Sequence, residues 1–204
     1  LGNDQKLEGD NIYNGALDNA SGTAALLEIA EAYATLPQAP RRSVLFLALT
    51  AEEQGLLGSL HYAANPLFPL ENTVGGLNMD GMNNVGATRD ITVIGLGMSD
   101  LDDYLAAAAA AQERVLAGDR EAEKGYYYRS DHFELAKQGV PMLYPWAGYD
   151  NREKGVAYGM EKANEYTNDH YHRVSDEYDL SWDVSGALED MEMYFRTGLD
   201  VANG

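Results

Sequence analysis

Between Arg41 and Thr50 the chain runs through Val44-Leu45-Phe46-Leu47-Ala48-Leu49 and then changes abruptly to Ala51-Glu52-Glu53. This apolar stretch is too short for a free-standing helix. It has no polar residues alternating with the apolar ones, so it reads as a strand covered on both faces. Such a strand belongs in a sheet held between helices, which makes α/β the expected fold class. The flanking patterns agree. Ala24, Leu26, Leu27, Ile29, Ala30, Tyr33 and Ala34 follow helical spacing, and the helix ends before Pro37. A second helix is expected from Gln54 to Ala64, stopped by Pro66, and short strands at Val74 to Met79, Ile91 to Ile94 and Val140 to Tyr144. One long helix is expected from Ser99, as its N-cap, to Ala117, with Gly118 ending it. Phe133 to Lys137 reads as a short helix and Trp182 to Val201 as a closing amphipathic one. Pro145 to Tyr171 shows no clear periodicity and is long enough to be read as a functional loop.

A length of 204 residues with 45% hydrophobic content fits one globular domain, residues 1–204, better than two. The formal net charge of -19 excludes nucleic acid and anionic membrane surfaces as partners, because so acidic a field repels both. No apolar run approaches the roughly 18 residues of a membrane-spanning helix. With no cysteine in the chain, disulfides, thiol nucleophiles and thiolate metal sites are excluded, leaving His and carboxylate as ligand chemistry.

Four acidic or His-bearing segments fall at expected element ends, where open α/β sheets build their sites. Asp18, in Gly15-Ala16-Leu17-Asp18-Asn19-Ala20-Ser21-Gly22, could by itself be a helix cap. Glu52 and Glu53 are adjacent carboxylates at the end of an apolar strand, where they repel unless something cationic sits between them. Asp80, directly before Gly81, also fits a turn, and His172 in a loop also fits a surface or packing role. Taken together they form an oxygen and nitrogen donor set suited to zinc. Other features carry less. Asn19-Ala20-Ser21 matches a glycosylation acceptor but shares its residues with the Asp18 motif, Gly95-Leu96-Gly97 lacks the rest of a dinucleotide fingerprint, and consecutive Ser130-Asp131-His132 does not converge as a triad would.

In order along the chain, Asp18-Asn19-Ala20-Ser21-Gly22, Ala51-Glu52-Glu53 with Gly55-Leu56 and Gly58-Ser59, Asn78-Met79-Asp80, Ser130-Asp131-His132, and Tyr171-His172 with Asp176 match a known pattern. In this ordered set the sequence resembles the co-catalytic, di-zinc exopeptidases: secreted bacterial leucyl-type aminopeptidases, glutamate carboxypeptidase and glutaminyl cyclase. The resemblance implies a three-layer α/β/α sandwich with a mixed central sheet. It implies that Asp18 bridges two zinc ions, that Glu53 and His172 complete one, and that Asp80 serves the other. It also implies that Glu52 is the general base for attack by a zinc-bound water. Tyr127, three positions before Ser130, matches a tyrosine that hydrogen-bonds the tetrahedral intermediate, while Asp131 or Asp176 would orient His172 or support its loop. The implied activity is that of a zinc aminopeptidase acting on peptides with a free N-terminus, outside the cell or in the periplasm.

The pattern departs from the family in one place. The family's His-x-Asp motif, whose His is the remaining ligand of the Asp80 metal, does not occur between Leu1 and Asp18, and neither His61 nor His132 fills its place. The expectation is that the family's early strands lie outside this chain, that an N-terminal fragment of the same precursor accompanies it as a separate chain, and that this chain alone holds one zinc tightly. Two other readings remain: a single-zinc glutaminyl cyclase, and a non-catalytic, receptor-like interaction domain.

Overall fold

The computed structural model describes residues 2–3 and 8–204. A two-residue antiparallel pair, β1 (Gly2–Asn3) with β2 (Ile12–Tyr13), precedes a tight turn over residues 16–21 that leads into α1 (Gly22–Ala34). After residues 43–49 come a single 3-10 turn (Glu52–Gln54) and α2 (Leu57–Ala64), then β3 (Gly76–Leu77), β4 (Asp90–Val93) and α3 (Leu101–Ala110). The remainder is β5 (Val115–Gly118), α4 (His132–Ala136), β6 (Met142–Leu143), β7 (Pro145–Trp146), α5 (Gly155–Asp169) and α6 (Ser185–Asn203).

The strands form a mixed arrangement. β3 pairs in parallel with β6, and β4 lies between β5, parallel to it, and β7, antiparallel to it. Because β6 and β7 are separated only by Tyr144, whose carbonyl accepts the Ile94 N–H at 2.9 Å, segment 142–146 joins the two ladders. Helices cover both faces. Ala25 and Ile29 of α1, Leu101 and Leu105 of α3 and Met193 and Tyr194 of α6 pack with Ile91, Val93 and Leu143 into the main core. Tyr62 of α2 and Leu135 of α4 close a smaller cluster with Val140 on the other side.

Residues 43–49 depart from the covered strand that their sequence predicts: Val44 and Leu45 are exposed, and only Phe46, Leu47 and Leu49 are half-buried. Phe46 packs into the main core against Tyr33, with ring centroids 5.8 Å apart, while Leu47 and Leu49 pack into the α2–α4 cluster. Ladder pairing is what they lack: none of their backbone groups is hydrogen-bonded to another described residue, and they form no strand. Unpaired backbone of this kind is suited to strand addition and to aggregation.

Two other expectations are corrected. The helix expected to run to Ala117 stops at Ala110. The chain then turns through Glu113, at φ 58°, and Val115–Gly118 pair with β4. The Ala tract favours helix wherever it lies, but the paired edge of β4 takes the residues after it. The expected loop over residues 145–171 contains the 15-residue α5. This helix escapes the periodicity test because it fully buries only Gly159, and its half-buried face, with Tyr158, Lys162, Ala163 and Tyr166, mixes polar and apolar residues. A Cβ at Gly159 would lie 2.2 Å from the Tyr149 carbonyl oxygen, so the glycine lets the helix backbone rest directly on segment 145–149.

Candidate metal centre and cleft

Asp18 sits in the turn before α1, where backbone and side-chain hydrogen bonds lock it against two distant segments. The Asp176 carboxylate accepts the N–H groups of Leu17 (3.0 Å) and Asp18 (3.1 Å), and the hydroxyl of Tyr166 (3.2 Å). The Asp18–Asn19 peptide is cis. Asn19 ties this turn to the one carrying Asp80: its Oδ1 accepts from the N–H of Gly22 and of Gly81, both at 3.0 Å, and its Nδ2 donates to the Met79 carbonyl at 2.9 Å. Ser21 continues the clamp, donating to the Leu17 carbonyl and accepting the Met82 N–H. Gly22 must be glycine because a Cβ there would lie 2.2 Å from Asn19 Oδ1 and 2.6 Å from the Met79 carbonyl oxygen. The Asp18-Asn19-Ala20-Ser21-Gly22 motif therefore acts as a clasp between two acidic turns, with both the oxygen and the nitrogen of its asparagine amide hydrogen-bonded.

Glu52 and Glu53 are presented by the 3-10 turn after residues 43–49. Ala51 enters that turn at φ 58°, in the left-handed region, and the Thr50 carbonyl accepts the Gly58 N–H at 2.9 Å. His172 comes from the loop after α5, also at positive φ (57°), with its ring stacked on Tyr171 at 3.8 Å between centroids. Its Nε2 lies 3.2 Å from Asp18 Oδ2 and 3.0 Å from Glu53 Oε2. One ligand atom from each of Asp18, Glu53 and His172 falls within 4.8 Å of the others, the spacing of a three-donor metal site.

Asp80 stands beside this group. It is held by the Ser130 hydroxyl at 2.6 Å and the Tyr144 phenol at 3.1 Å, and Asn78 donates to the Ser130 Oγ at 2.7 Å. Ser130 therefore orients Asp80. The neighbouring His132 is buried, its ring packed against Tyr127 and Tyr144 at 4.9 and 4.5 Å, and neither of its nitrogens meets a partner with hydrogen-bond geometry. This arrangement excludes a Ser-Asp-His triad. The supporting role expected of Asp131 or Asp176 is filled by Asp176, through the Asp18 turn rather than through His172.

The electrostatics call for a cation. Burial, followed by the charges of Asp80, Glu53 and Asp176, pushes the Asp18 carboxyl up to about 7. Burial, then Asp80, Glu53, Asp131 and Asp18, pushes Glu52 up to about 8. Among the described residues, Asp18 and Glu53 have no ion-pair partner other than His172. A divalent cation between Asp18, Glu53 and His172 would bring the raised Asp18 and Glu52 carboxyls back down, so the donor set fits zinc in number and chemistry.

The acids open into a cleft of about 510 Å³ lined by Asp18, Glu52, Asp80, Tyr126, Tyr144, Trp146 and Tyr171. On their other side a second cavity of about 370 Å³ lies between residues 47–49 and 77–79. Tyr127 does not line the cleft. Its ring covers Gly95 and His132, and a Cβ at Gly95 would lie 2.5 Å from it. Tyr126, packed on Trp146 at 4.7 Å, faces the cleft in its place, and Tyr171 stands next to His172. Burial and then the charges of Asp18 and Glu53 push the Tyr171 phenol well up, keeping it a proton donor.

His132 carries a prediction of its own. Burial lowers its pKa from 6.5 to about 4. A depressed imidazole pKa contributes stability above the unfolded value, and this is lost as pH falls from 6.5 toward 4, by up to about 3 kcal/mol. In denaturant titrations at pH 7.5, 6 and 5, the stability difference between His132→Phe and the wild type should therefore move in favour of the variant as pH falls. A constant difference would refute this.

Fold and site together define an α/β domain that gathers carboxylate and imidazole metal donors in the turns and loops between its elements. The profile of peptidase family M28 matches residues 3–195, and the chain belongs to that family. Aminopeptidase NAALADL1 of Mus musculus is 43% identical over 76 residues, 35% of this chain and 10% of that protein. Aminopeptidase YwaD of Bacillus subtilis (strain 168) is 48% identical over 48 residues, 24% of this chain and 10% of that protein. The LapA aminopeptidase of Legionella pneumophila superposes with a TM-score of 0.67 at 21% identity, covering 96% of this chain and 48% of that one. A Porphyromonas gingivalis glutaminyl cyclase has a TM-score of 0.52 at 18% identity, covering 94% of this chain and 63% of that one. At these identities the superpositions bear on fold alone, and the chain spans about half the length of the LapA structure.

Proposed function

We propose that residues 1–204 form the catalytic domain of a zinc-dependent exopeptidase that releases N-terminal residues from peptides. The observation that carries this reading is the convergence of Asp18, Glu53 and His172 on one point, with Glu52 beside them and in a cleft. Zinc held by these three residues would supply the Lewis acidity that activates water and polarises the scissile carbonyl. Asp80, fixed by Ser130 and Tyr144, adds a fourth acid outside the three-donor group and is the proposed ligand of a second ion. Glu52 is within charge-coupling range of Asp18 and Glu53 but outside the three-donor group, as suits a base that takes the proton of the attacking water and returns it to the leaving amine. With Tyr127 turned away, Tyr171 is the proposed donor to the developing oxyanion. The acidic cleft wall favours a substrate's cationic N-terminus.

Zinc titration followed by metal analysis and thermal unfolding tests the reading. One tightly bound zinc per chain is expected. At a free concentration of 100 times Kd, it should contribute about 2.7 kcal/mol and raise Tm by about 5–10 °C. His172→Ala should lose most of that rise. Cleavage of unblocked but not N-acetylated peptides supports aminopeptidase action, and cyclisation of N-terminal glutamine without cleavage would assign the cyclase reaction instead. A Tm indifferent to zinc in both proteins would remove the metal from the argument.

A further inference from the structure

The cleft is acidic where the metal donors lie, yet four basic side chains also line it: Arg120, Lys124, Arg129 and Lys162. Two are committed to carboxylates of their own segments, Lys124 to Glu121 at 2.7 Å and Lys162 to Glu165 at 2.5 Å. Arg120 lies over the Tyr149 ring at 5.1 Å and against the Met160 sulfur at 3.7 Å. Arg129 differs from all three. Its guanidinium faces the Tyr126 ring at 5.7 Å, a ring it shares with Lys124 at 5.9 Å and that is itself packed on Trp146, and this contact leaves the arginine's N–H donors unused. Among the described residues its side chain makes no ion pair and no hydrogen bond. It directly precedes Ser130, which holds Asp80, and its charge reaches the phenol of Tyr171, the residue stacked on His172. An exposed guanidinium with an open donor fork, at the edge of an acidic cleft, is suited to bidentate capture of a carboxylate.

We infer that Arg129 sets substrate specificity by binding a carboxylate of the substrate, favouring peptides that carry one close to the scissile bond over neutral peptides of equal length. The inference rests on the exopeptidase reading and gives it a substrate class. The carboxylate has two possible sources: the free C-terminus of a dipeptide, or an acidic side chain next to the bond. In either case the acids around zinc repel the same group, so the anion must lie on the Arg129 side, with the substrate's amino group toward Asp18, Glu52 and Asp80.

The test compares Leu-Ala, Leu-Ala-amide and Leu-Glu-amide as substrates for the wild type, Arg129→Gln and Arg129→Lys. The wild type should prefer at least one carboxylate-bearing substrate over Leu-Ala-amide by about tenfold in kcat/KM, expressed mainly in KM, the size of one charge-assisted pair. Which of the two it prefers identifies the source. Arg129→Gln should bring the ratio near one by weakening the carboxylate-bearing substrates more than Leu-Ala-amide, and Arg129→Lys should restore part of the preference. General damage to the fold would lower all three substrates together and leave the ratios intact. Calorimetric titration of the same peptides into Glu52→Gln, with and without the Arg129→Gln change, reads the preference without turnover, so loss of the peptidase reading and loss of this inference are separable. A carboxylate preference that is absent in the wild type, or undiminished by Arg129→Gln, would overturn the assignment.

Discussion

Glu52→Gln should lower kcat on unblocked peptides by about 10²–10⁴-fold while leaving the zinc content per chain unchanged. The two halves of this expectation come from different observations. Retained zinc follows from the geometry: the three converging donors belong to Asp18, Glu53 and His172, and Glu52 is not among them. Lost turnover follows from position and charge. Glu52 shares its turn with Glu53 and lines the cleft, and burial, followed by the charges of Asp80, Glu53, Asp131 and Asp18, pushes it up to about 8. A metal cation at the neighbouring donors would bring that value down, giving a carboxylate that accepts a proton near neutral pH and can return it. Glutamine matches its shape and cannot do either. Metal analysis with steady-state kinetics on the two proteins decides the matter: if zinc is lost together with activity, Glu52 is a ligand, and if both persist, the base is another residue.

How much of this was legible in the sequence depended on how local each signal was. Phe46, Leu47 and Leu49 announce a covered strand, and their side chains do divide between two helix-covered clusters, but the segment forms no ladder and leaves Val44 and Leu45 exposed. Asp18, Glu53 and His172 could be picked out by type and motif, and they converge. What could not be read were decisions made by tertiary contact. Tyr126, Tyr127 and Tyr128 share one 3-10 turn, and at about three residues per turn consecutive side chains point roughly 120° apart. One faces Trp146, one covers Gly95 and one is exposed, and three identical letters cannot say which is which. Val115–Gly118 continue an alanine-rich helical pattern and become a strand only because β4 offers an edge. The roles of Ser130, which orients Asp80, and Asp176, which holds the Asp18 turn, depend on partners 50 and 158 residues away in sequence. α5 has no apolar stripe to find because its inward face combines Gly159, which makes the closest contact, with the half-buried Lys162, Ala163 and Tyr166.

The largest stability effect should come from a residue far from the chemistry. Asp190 of α6 and Arg114, just before β5, pair at 2.7 Å with almost no solvent contact on either side chain. The same guanidinium donates to Thr88 Oγ1 at 2.9 Å and to the Asp90 carbonyl at 3.0 Å, while the Asp90 carboxylate accepts the Asp150 N–H at 2.7 Å. The closing helix is thereby tied to the start of β4 and to the segment that supports α5. Burial outweighs the attraction of Arg114 and holds the Asp190 carboxyl up at about 6, so the pair contributes little net stability over apolar packing. Breaking it is a different matter. Asp190→Ala strands a buried guanidinium and should cost about 3–5 kcal/mol in denaturant unfolding, whereas Arg114→Met with Asp190→Leu should recover most of that loss. The partly exposed pair Arg152–Glu189, at 3.3 Å from the neighbouring position of α6, provides the contrast: Glu189→Gln should cost no more than about 1 kcal/mol. If Asp190→Ala is as mild as Glu189→Gln, the guanidinium finds water or another acceptor, and the link between α6 and β4 is made by the apolar contacts of Met193 and Tyr194 alone.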